Sequence, residues 1–419
     1  MKRTKWVAWG AVALGTWATA AASQQFPLKD GDTVVFYGDS ITAQRLYTRD
    51  VEEFVLTRYP ALHVHFVNAG VPGDNVYGGY AGAMADRVAR DVAPYRPAMI
   101  TVMLGMNDGG YGFGGAEVEP NFKKGYGALL DALHKAAPNA AFTLITPTPY
   151  DEVTHGTEFP GYARIIDKLA DDVPALGAAL QSQGVKDVSI ADVHGPVSDA
   201  LERAKAEFPQ LAPLLIPDRI HPGESGHWIM AAALMAAWHA NPVVSRVVLN
   251  GSTGAVIEKD RTTVTGLANS ADGLSWTQLD EALPLPLDFN NAMTLVLVKV
   301  SDIAQLDQEI LRVPALGPGQ FALTIDGKAV ASFSGEDLER GVNLALYKTP
   351  MVDQARGVDW DEERRSSLDL ARFILLAEVK QDTTSPITEN KLIEGEDEKE
   401  AAARKDHDPK PHKFELRRQ

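Results

Sequence analysis

Thr33-Val-Val-Phe-Tyr-Gly-Asp-Ser-Ile-Thr42 is an apolar run that stops at Gly38-Asp39-Ser40. It reads as a buried strand ending in a small residue, an acid and a hydroxyl. Open α/β folds place their ligands at the carboxyl ends of such strands, so Ser40 stands where a nucleophile would. Gly-Asp-Ser is also an ordinary turn composition. The stretch therefore gains its meaning from what the remaining chain brings to it.

Outward from this run, strand and helix patterns alternate from Asp32 to about Ala240. Leu62-His-Val-His-Phe-Val67, Ala98-Met-Ile-Thr-Val-Met-Leu104, Ala141–Ile145 and Val188–Val193 read as further strands, and the continuous apolar run at 98–104 fits a strand buried on both faces. Between them, helical spacing is expected over Asp50–Arg58, Ala83–Val92, the stretch holding Phe122, Tyr126, Leu129, Leu130 and Leu133, Tyr162–Gln183 and Ser225–His239. Strands separated by helices predict a doubly wound parallel sheet of the α/β class. After Pro242 the grammar changes. Short β-like runs follow at Val247–Leu249, Thr262–Thr265, Met293–Val300, Phe321–Ile325 and Lys328–Phe333, with Asp326-Gly327 as a two-residue hairpin signal. Pro350–Lys380 reads as a helix with Leu368, Ala371, Leu375 and Val379 on one stripe, the acidic run Glu394–Glu400 as a solvated face, and Phe414-Glu-Leu416 as a candidate terminal strand. The expected organisation is a signal segment over 1–22, a doubly wound α/β domain over 23–242, a β-rich module over 243–349 and a helical C-terminal segment over 350–419.

The chain has 419 residues and a formal charge of −16, with 40 basic against 56 acidic side chains. That balance argues against a nucleic-acid partner, since phosphate binding needs a basic surface. Lys2, Arg3 and Lys5 precede an apolar stretch, Trp6–Ala22, that ends in small residues. This is the pattern of a secretory signal cleaved near Ala22, so a secreted or periplasmic location is expected, with no membrane span after cleavage. There is no cysteine, which removes thiol nucleophiles, cysteine-zinc sites and disulfides.

Several strand ends carry polar groups in an order that suits acyl transfer. After Ser40 come Asn68-Ala-Gly-Val-Pro-Gly73-Asp-Asn75, then Gly105-Met-Asn107-Asp108, and then Asp218-Arg-Ile-His221-Pro222. A serine hydroxyl is a weak nucleophile until a base takes its proton. His221 can be that base, and Asp218 can hold its tautomer and stabilise the imidazolium. The Ser40 N–H, the Gly73 N–H and the Asn107 amide can serve as oxyanion donors. These four blocks resemble those of the SGNH (GDSL-type) hydrolase superfamily, and Gly341-Val-Asn-Leu-Ala345 and Thr349-Pro-Met351 look similar to a subgroup with a C-terminal β-rich extension. The resemblance covers about Asp32–Ala240. It implies a three-layer α/β/α, flavodoxin-like fold, with Ser40 as nucleophile, Asp218–His221 as the acid–base pair and Gly73 and Asn107 as oxyanion partners. It also implies esterase, lipase or carbohydrate-deacetylase activity with no metal or other cofactor. Many relatives have glycine between the acid and the histidine, whereas Arg219-Ile220 stand here.

Other residues weigh less. His227, with Glu224 three residues before it, rivals His221 on spacing but falls inside a predicted helix. Asp39 and Asp108 read as structural carboxylates. Gly110-Tyr-Gly112-Phe-Gly-Gly115 formally matches a dinucleotide loop, yet it does not open a helix at the first strand turn, and Asp131, at the ribose-acid distance, lies within a helix. We read it as a flexible loop whose Tyr111 and Phe113 shape the substrate pocket, with Arg219 narrowing it or meeting an acidic group. His63 and His65 lack further ligands nearby, so no metal is expected. The expectation is a serine esterase acting on small acyl groups, with acetylated carbohydrate as substrate. Its rivals are a lipase or thioesterase on longer chains and a glycan-binding protein with a vestigial hydrolase core.

Overall fold

The computed structural model describes residues 25–156, 158–377, 394–395, 398–399, 401–402, 404–405 and 407–419. The expected signal segment 1–22 lies outside them, as do Val379 and parts of the acidic run 394–400. Among the described residues, no helix is long and apolar enough to cross a membrane.

Five parallel strands form the central sheet: β1 (Thr33–Gly38), β2 (His65–Gly70), β3 (Met99–Met103), β4 (Ala141–Ile145) and β5 (Val188–Ala191). Their order is β2-β1-β3-β4-β5. The chain winds one way from β1 to β2 and then crosses to β3 on the other side, so the switch point lies between β1 and β3. Ligands of open α/β sheets bind in the crevice at such a point. The registers pair Gly38 with both Gly70 and Met103. The carboxyl ends of the three strands that lead to Ser40, Gly73 and Asn107 are therefore level.

Six helices cover this sheet: α1 (Leu46–Arg58), α2 (Met84–Asp91), α3 (Val118–Ala136), α4 (Tyr162–Ser182), α5 (His194–Glu207) and α6 (Glu224–Ala237). Their buried stripes join the strands in one core, for example Phe122, Tyr126, Leu129 and Leu133 on α3 and Ile166, Leu169 and Val173 on α4. Each such side chain contributes about 1.5–3 kcal/mol by leaving water. α5 has no counterpart in the sequence reading. Its apolar face, Val197, Ala200, Leu201 and Ala204, is small and half alanine, so the periodic signal is faint.

Beyond Pro242 the strands are β6 (Val243–Leu249), β7 (Val256–Asp260), β8 (Thr262–Ser270), β9 (Gly273–Asp280), β10 (Gln308–Arg312), β11 (Gln320–Ile325), β12 (Lys328–Ser334), β13 (Val342–Asn343) and β14 (His412–Arg418). They make a four-stranded sheet, β13-β10-β6-β7, and a five-stranded antiparallel sheet, β8-β9-β14-β11-β12. Asp326 and Gly327 turn the β11–β12 hairpin, both with positive φ, as a tight two-residue turn requires. The Phe414 run lies at the centre of its sheet, where Phe414 stacks on Trp276 at 5.1 Å.

Met293–Val300, expected as a strand, lies within helix α7 (Ala292–Val300). A short continuous apolar run fits a buried helix as well as a strand. Here Asn291 caps it, accepting the Met293 N–H at 2.9 Å. Val296, Leu297 and Val300 then complete the core of the central domain. Helix α8 (Pro350–Ala377) packs on α1 through the Arg49–Asp359 pair at 3.3 Å and the Arg365–Glu52 pair. Arg58 on α1 is buried and donates to Asp307 at 2.8 Å and to the Asn241 carbonyl at 2.9 Å. Removing either partner of that pair would strand a buried charge, which typically costs 3–5 kcal/mol.

Candidate active site

β1 ends at a glycine because nothing larger fits. A Cβ on Gly38 would come within 2.1 Å of Thr42 Oγ1 and 2.9 Å of the Met103 carbonyl. This tight corner starts a single helical turn, Ser40–Ala43, capped by buried Asp39, whose Oδ1 accepts the Ile41 N–H at 2.9 Å. Ser40 is the first residue of that turn, half-buried above the sheet.

The Asp218–His221 segment comes from the loop before α6. His221 Nε2 lies 2.8 Å from Ser40 Oγ, and His221 Nδ1 lies 2.7 Å from Asp218 Oδ2. Asp218 Oδ1 accepts the backbone N–H of His221 at 2.7 Å and of Ile220 at 3.0 Å. Partial burial pushes the Asp218 carboxyl up, but the His221 backbone and imidazole and the Ile220 N–H together hold it below the usual carboxylate range. The acid is thus ionised, with His221 oriented between it and the serine.

His227 is placed differently. It is fully buried, its Nδ1 accepts the Tyr47 N–H at 3.2 Å, and its Nε2 lies 3.0 Å from Gln44 Oε1. Burial, with smaller contributions from Arg49 and His221, pushes it down to about 3. A neutral ring with both nitrogens engaged is a strut between α6 and α1.

Gly73 and Asn107 reach the same strand ends. Gly73 has φ +74°, in the left-handed region that favours glycine, and its N–H has no acceptor among the described residues. Asn107 Nδ2 donates one hydrogen to the Asp74 carbonyl at 2.8 Å, which leaves its second N–H. The loop carrying Gly73 is fixed by a residue that the sequence did not single out. Buried Arg87 donates to Asp74 Oδ2 and to the Ala69 carbonyl, bonds Asp91 at 2.9 Å and lies 4.5 Å from the centre of the Tyr37 ring. Its only sequence trace is the i,i+4 spacing of Arg87 and Asp91.

Asp39 and Asp108 are scaffold groups, as expected. Asp108 Oδ1 accepts the Val76 N–H at 3.0 Å. Burial first, and then the neighbouring carboxylates, push both to about 7. Near neutral pH much of the negative charge that would oppose an oxyanion above them is therefore absent.

The three expected pocket residues separate. Tyr111 donates from its hydroxyl to Asn107 Oδ1 at 3.0 Å and stacks on Tyr162 at 5.0 Å. That bond fixes which face of the amide carries the N–H groups, a role that its position in a glycine-rich loop did not suggest. Phe113 is 89% exposed and packs on none of this. Arg219, with φ +71°, turns away to the Gly156 carbonyl at 2.9 Å and Glu158 at 3.0 Å. It ties the histidine loop to the segment after β4, where His155 adds a bond to the Ile216 carbonyl at 2.9 Å. His63 bonds Asp30 at 2.8 Å.

Residues 36–229 match the family model of the GDSL-like lipase/acylhydrolase family. No curated protein matches the sequence. In fold the chain is similar to a gut microbial diltiazem-metabolizing enzyme, at 22% identity, over 94% of this chain and 100% of that one, with a TM-score of 0.79. The shared fold therefore includes the part after Pro242. Shorter overlaps, each over 51% of this chain and at 23% identity, join it to an acetylxylan esterase from Geobacillus stearothermophilus (97% of that chain, TM-score 0.39) and to an alpha/beta hydrolase enzyme from the metagenome of Lake Arreo, Spain (98%, TM-score 0.39). The matched span contains the strand ends that carry Ser40, Gly73 and Asn107, and the match identifies residues 36–229 as a GDSL-like lipase/acylhydrolase domain and the chain that carries it as a serine ester hydrolase.

Proposed function

We propose that Ser40, His221 and Asp218 form the catalytic triad of an exported esterase that removes small acyl groups, acetyl above all, from carbohydrate. The observation that carries this reading is the unbroken chain of contacts from Ser40 Oγ through His221 to Asp218, at 2.8 and 2.7 Å. Ser40 Oγ attacks the ester carbonyl as His221 Nε2 takes its proton, and ionised Asp218 stabilises the imidazolium. The carbonyl oxygen gains a charge that faces the N–H groups of Ser40 and Gly73 and the Asn107 amide. One such donor is typically worth about 2.7–4 kcal/mol. His221 returns its proton to the leaving alcohol, and the acyl-enzyme then yields to water by the same steps in reverse.

A short acyl group is supported by the polar segments that meet at Ser40, those of Gly73, Asn107 and Asp218–His221. Export is supported by Lys2, Arg3 and Lys5 ahead of Trp6–Ala22. A second reading is a small non-carbohydrate ester, because one neighbour that shares both halves of the fold is a diltiazem-metabolizing enzyme. Hydrolysis of aryl acetate, butyrate and octanoate by the purified protein ranks the acyl length, and acetate is expected to lead. Ser40→Ala should abolish turnover; a variant that stays active would falsify the assignment.

A further inference from the structure

Next to Asn107 lies a pocket of about 230 Å3, between the loop that carries Gly73 and the start of α3. Its walls include Asn75, Tyr77, Asn107, Asp108 and Asn121. The volume is below the roughly 300–1,000 Å3 of sites for drug-sized ligands. Three side-chain amides and a carboxylate share its wall with Val118 and Phe122. It shares Asn107 with the site described above.

Tyr77 sets the character of this pocket. It is 51% exposed, yet it is held at both ends. Its hydroxyl donates to the Asn121 carbonyl at 2.9 Å and its N–H to Asn75 Oδ1 at 2.9 Å. Its ring lies so close to α3 that a Cβ on Gly125 would come within 2.8 Å of it. An exposed aromatic ring usually costs rotamer freedom when it binds something. This one has been fixed in advance, with amides beside it that both donate and accept.

We propose that this pocket is a monosaccharide subsite, with the sugar ring seated on Tyr77 and its hydroxyls met by Asn75, Asn121 and Asp108. A pyranose has a C–H face that suits an aromatic ring and an equatorial hydroxyl edge that suits amides and carboxylates. The pocket volume takes one such ring. The inference rests on the esterase reading and names the alcohol part of the substrate, the sugar bonded to the acetyl group that Ser40 removes.

The test compares an aryl acetate with an acetylated methyl glucoside on the full chain carrying Tyr77→Ala or Tyr77→Phe. Tyr77→Ala should raise KM for the acetylated glucoside by about five- to tenfold, roughly the factor that one lost stacking contact corresponds to. Tyr77→Phe keeps the ring and should keep most of the affinity. Both variants should hydrolyse aryl acetate as the wild type does, which also shows that they fold. Equal losses on both substrates would reduce Tyr77 to a loop support and overturn the proposal, as would no loss on either. A wild type that cleaves aryl acetate but not the acetylated glucoside also overturns it. A protein inert to both esters defeats the esterase reading instead. Calorimetry of methyl glucoside binding to Ser40→Ala, with and without Tyr77→Ala, then still decides on the subsite: weakening of the same size supports it, and no binding or no weakening refutes it.

Discussion

Replacing Asp218 by asparagine should damage the enzyme more than replacing it by alanine. Asp218 Oδ1 accepts two backbone N–H groups, from His221 at 2.7 Å and Ile220 at 3.0 Å, while Oδ2 faces His221 Nδ1 at 2.7 Å. In Asp218→Asn the amide oxygen must stay with the two backbone donors. The NH2 group then lands opposite Nδ1 and forces it to accept, so the ring proton moves to Nε2. That nitrogen faces Ser40 Oγ and can no longer take its proton. In Asp218→Ala the charge is lost but the tautomer is free. Two unit charges about 4 Å apart interact by about 4 kcal/mol at an effective dielectric near 20 and by about 1 kcal/mol in water. The Asp218 side chain is 56% exposed, so we take about 2 kcal/mol, or about thirtyfold in rate. Asparagine adds the inverted hydrogen bond, about 1–1.5 kcal/mol more, for a total of a few hundredfold. The assay is kcat/KM for aryl acetate hydrolysis, with melting curves to show that both variants fold. An Asp218→Asn enzyme as active as Asp218→Ala, or more so, would refute this account of how the acid acts.

Tyr111→Phe should lower kcat about three- to tenfold with little change in KM, because Asn107 loses a neutral hydrogen bond worth about 0.5–1.5 kcal/mol while the stack on Tyr162 remains. Undiminished kcat on aryl acetate would mean that the amide needs no such anchor. Asp39→Asn tests the buried carboxyl beneath the site. Burial raises Asp39 from 3.8 to about 7, so the folded chain holds that proton more tightly than the unfolded chain. Its contribution to stability is therefore full below the unfolded value and is lost as pH rises through about 7. At 1.36 kcal/mol per unit the loss is of the order of 4 kcal/mol. Asparagine keeps the cap on Ile41 and does not titrate. The urea midpoint of Asp39→Asn should therefore exceed the wild type near pH 8 and approach it near pH 4, and parallel pH profiles would count against the buried-acid reading.

The doubly wound half was legible because each strand is a compact apolar run between helical patterns. β4 spans the expected Ala141–Ile145, β1 runs from Thr33 to the expected stop at Gly38, and β3 is shorter than its expected run by one residue at each end. The polar groups at the strand ends were legible for a related reason. A catalytic group at a strand terminus breaks an apolar pattern abruptly, as Ser40 and Asn107 do. What the sequence hid depends on contacts between segments far apart. Nothing local marks Arg87 as the clamp of the Gly73 loop, and its bonds to Asp74 and Ala69 exist only once β2 and α2 pack together. Tyr111 looked like a pocket wall because its bond to Asn107 depends on a left-handed turn, φ +51°, inside a glycine-rich loop. Met293–Val300 looked like a strand because β-branched residues fill it, and burial against α5 and α6 outweighs that local preference. The centre of the larger β-sheet was hardest to foresee. β14 arrives there from the end of the chain, more than a hundred residues after β9, beside which it pairs.

The central claim is that Ser40 is the nucleophile and His221 its base. A fluorophosphonate forms a phosphorus–oxygen bond to an activated serine as fluoride leaves and the base takes the serine proton. Peptide mapping by mass spectrometry after such labelling tests the claim most directly. The account predicts a single adduct, on the peptide that contains Ser40, which slows sharply in His221→Ala and disappears in Ser40→Ala. An adduct on another residue, or undiminished labelling of Ser40→Ala, would contradict it.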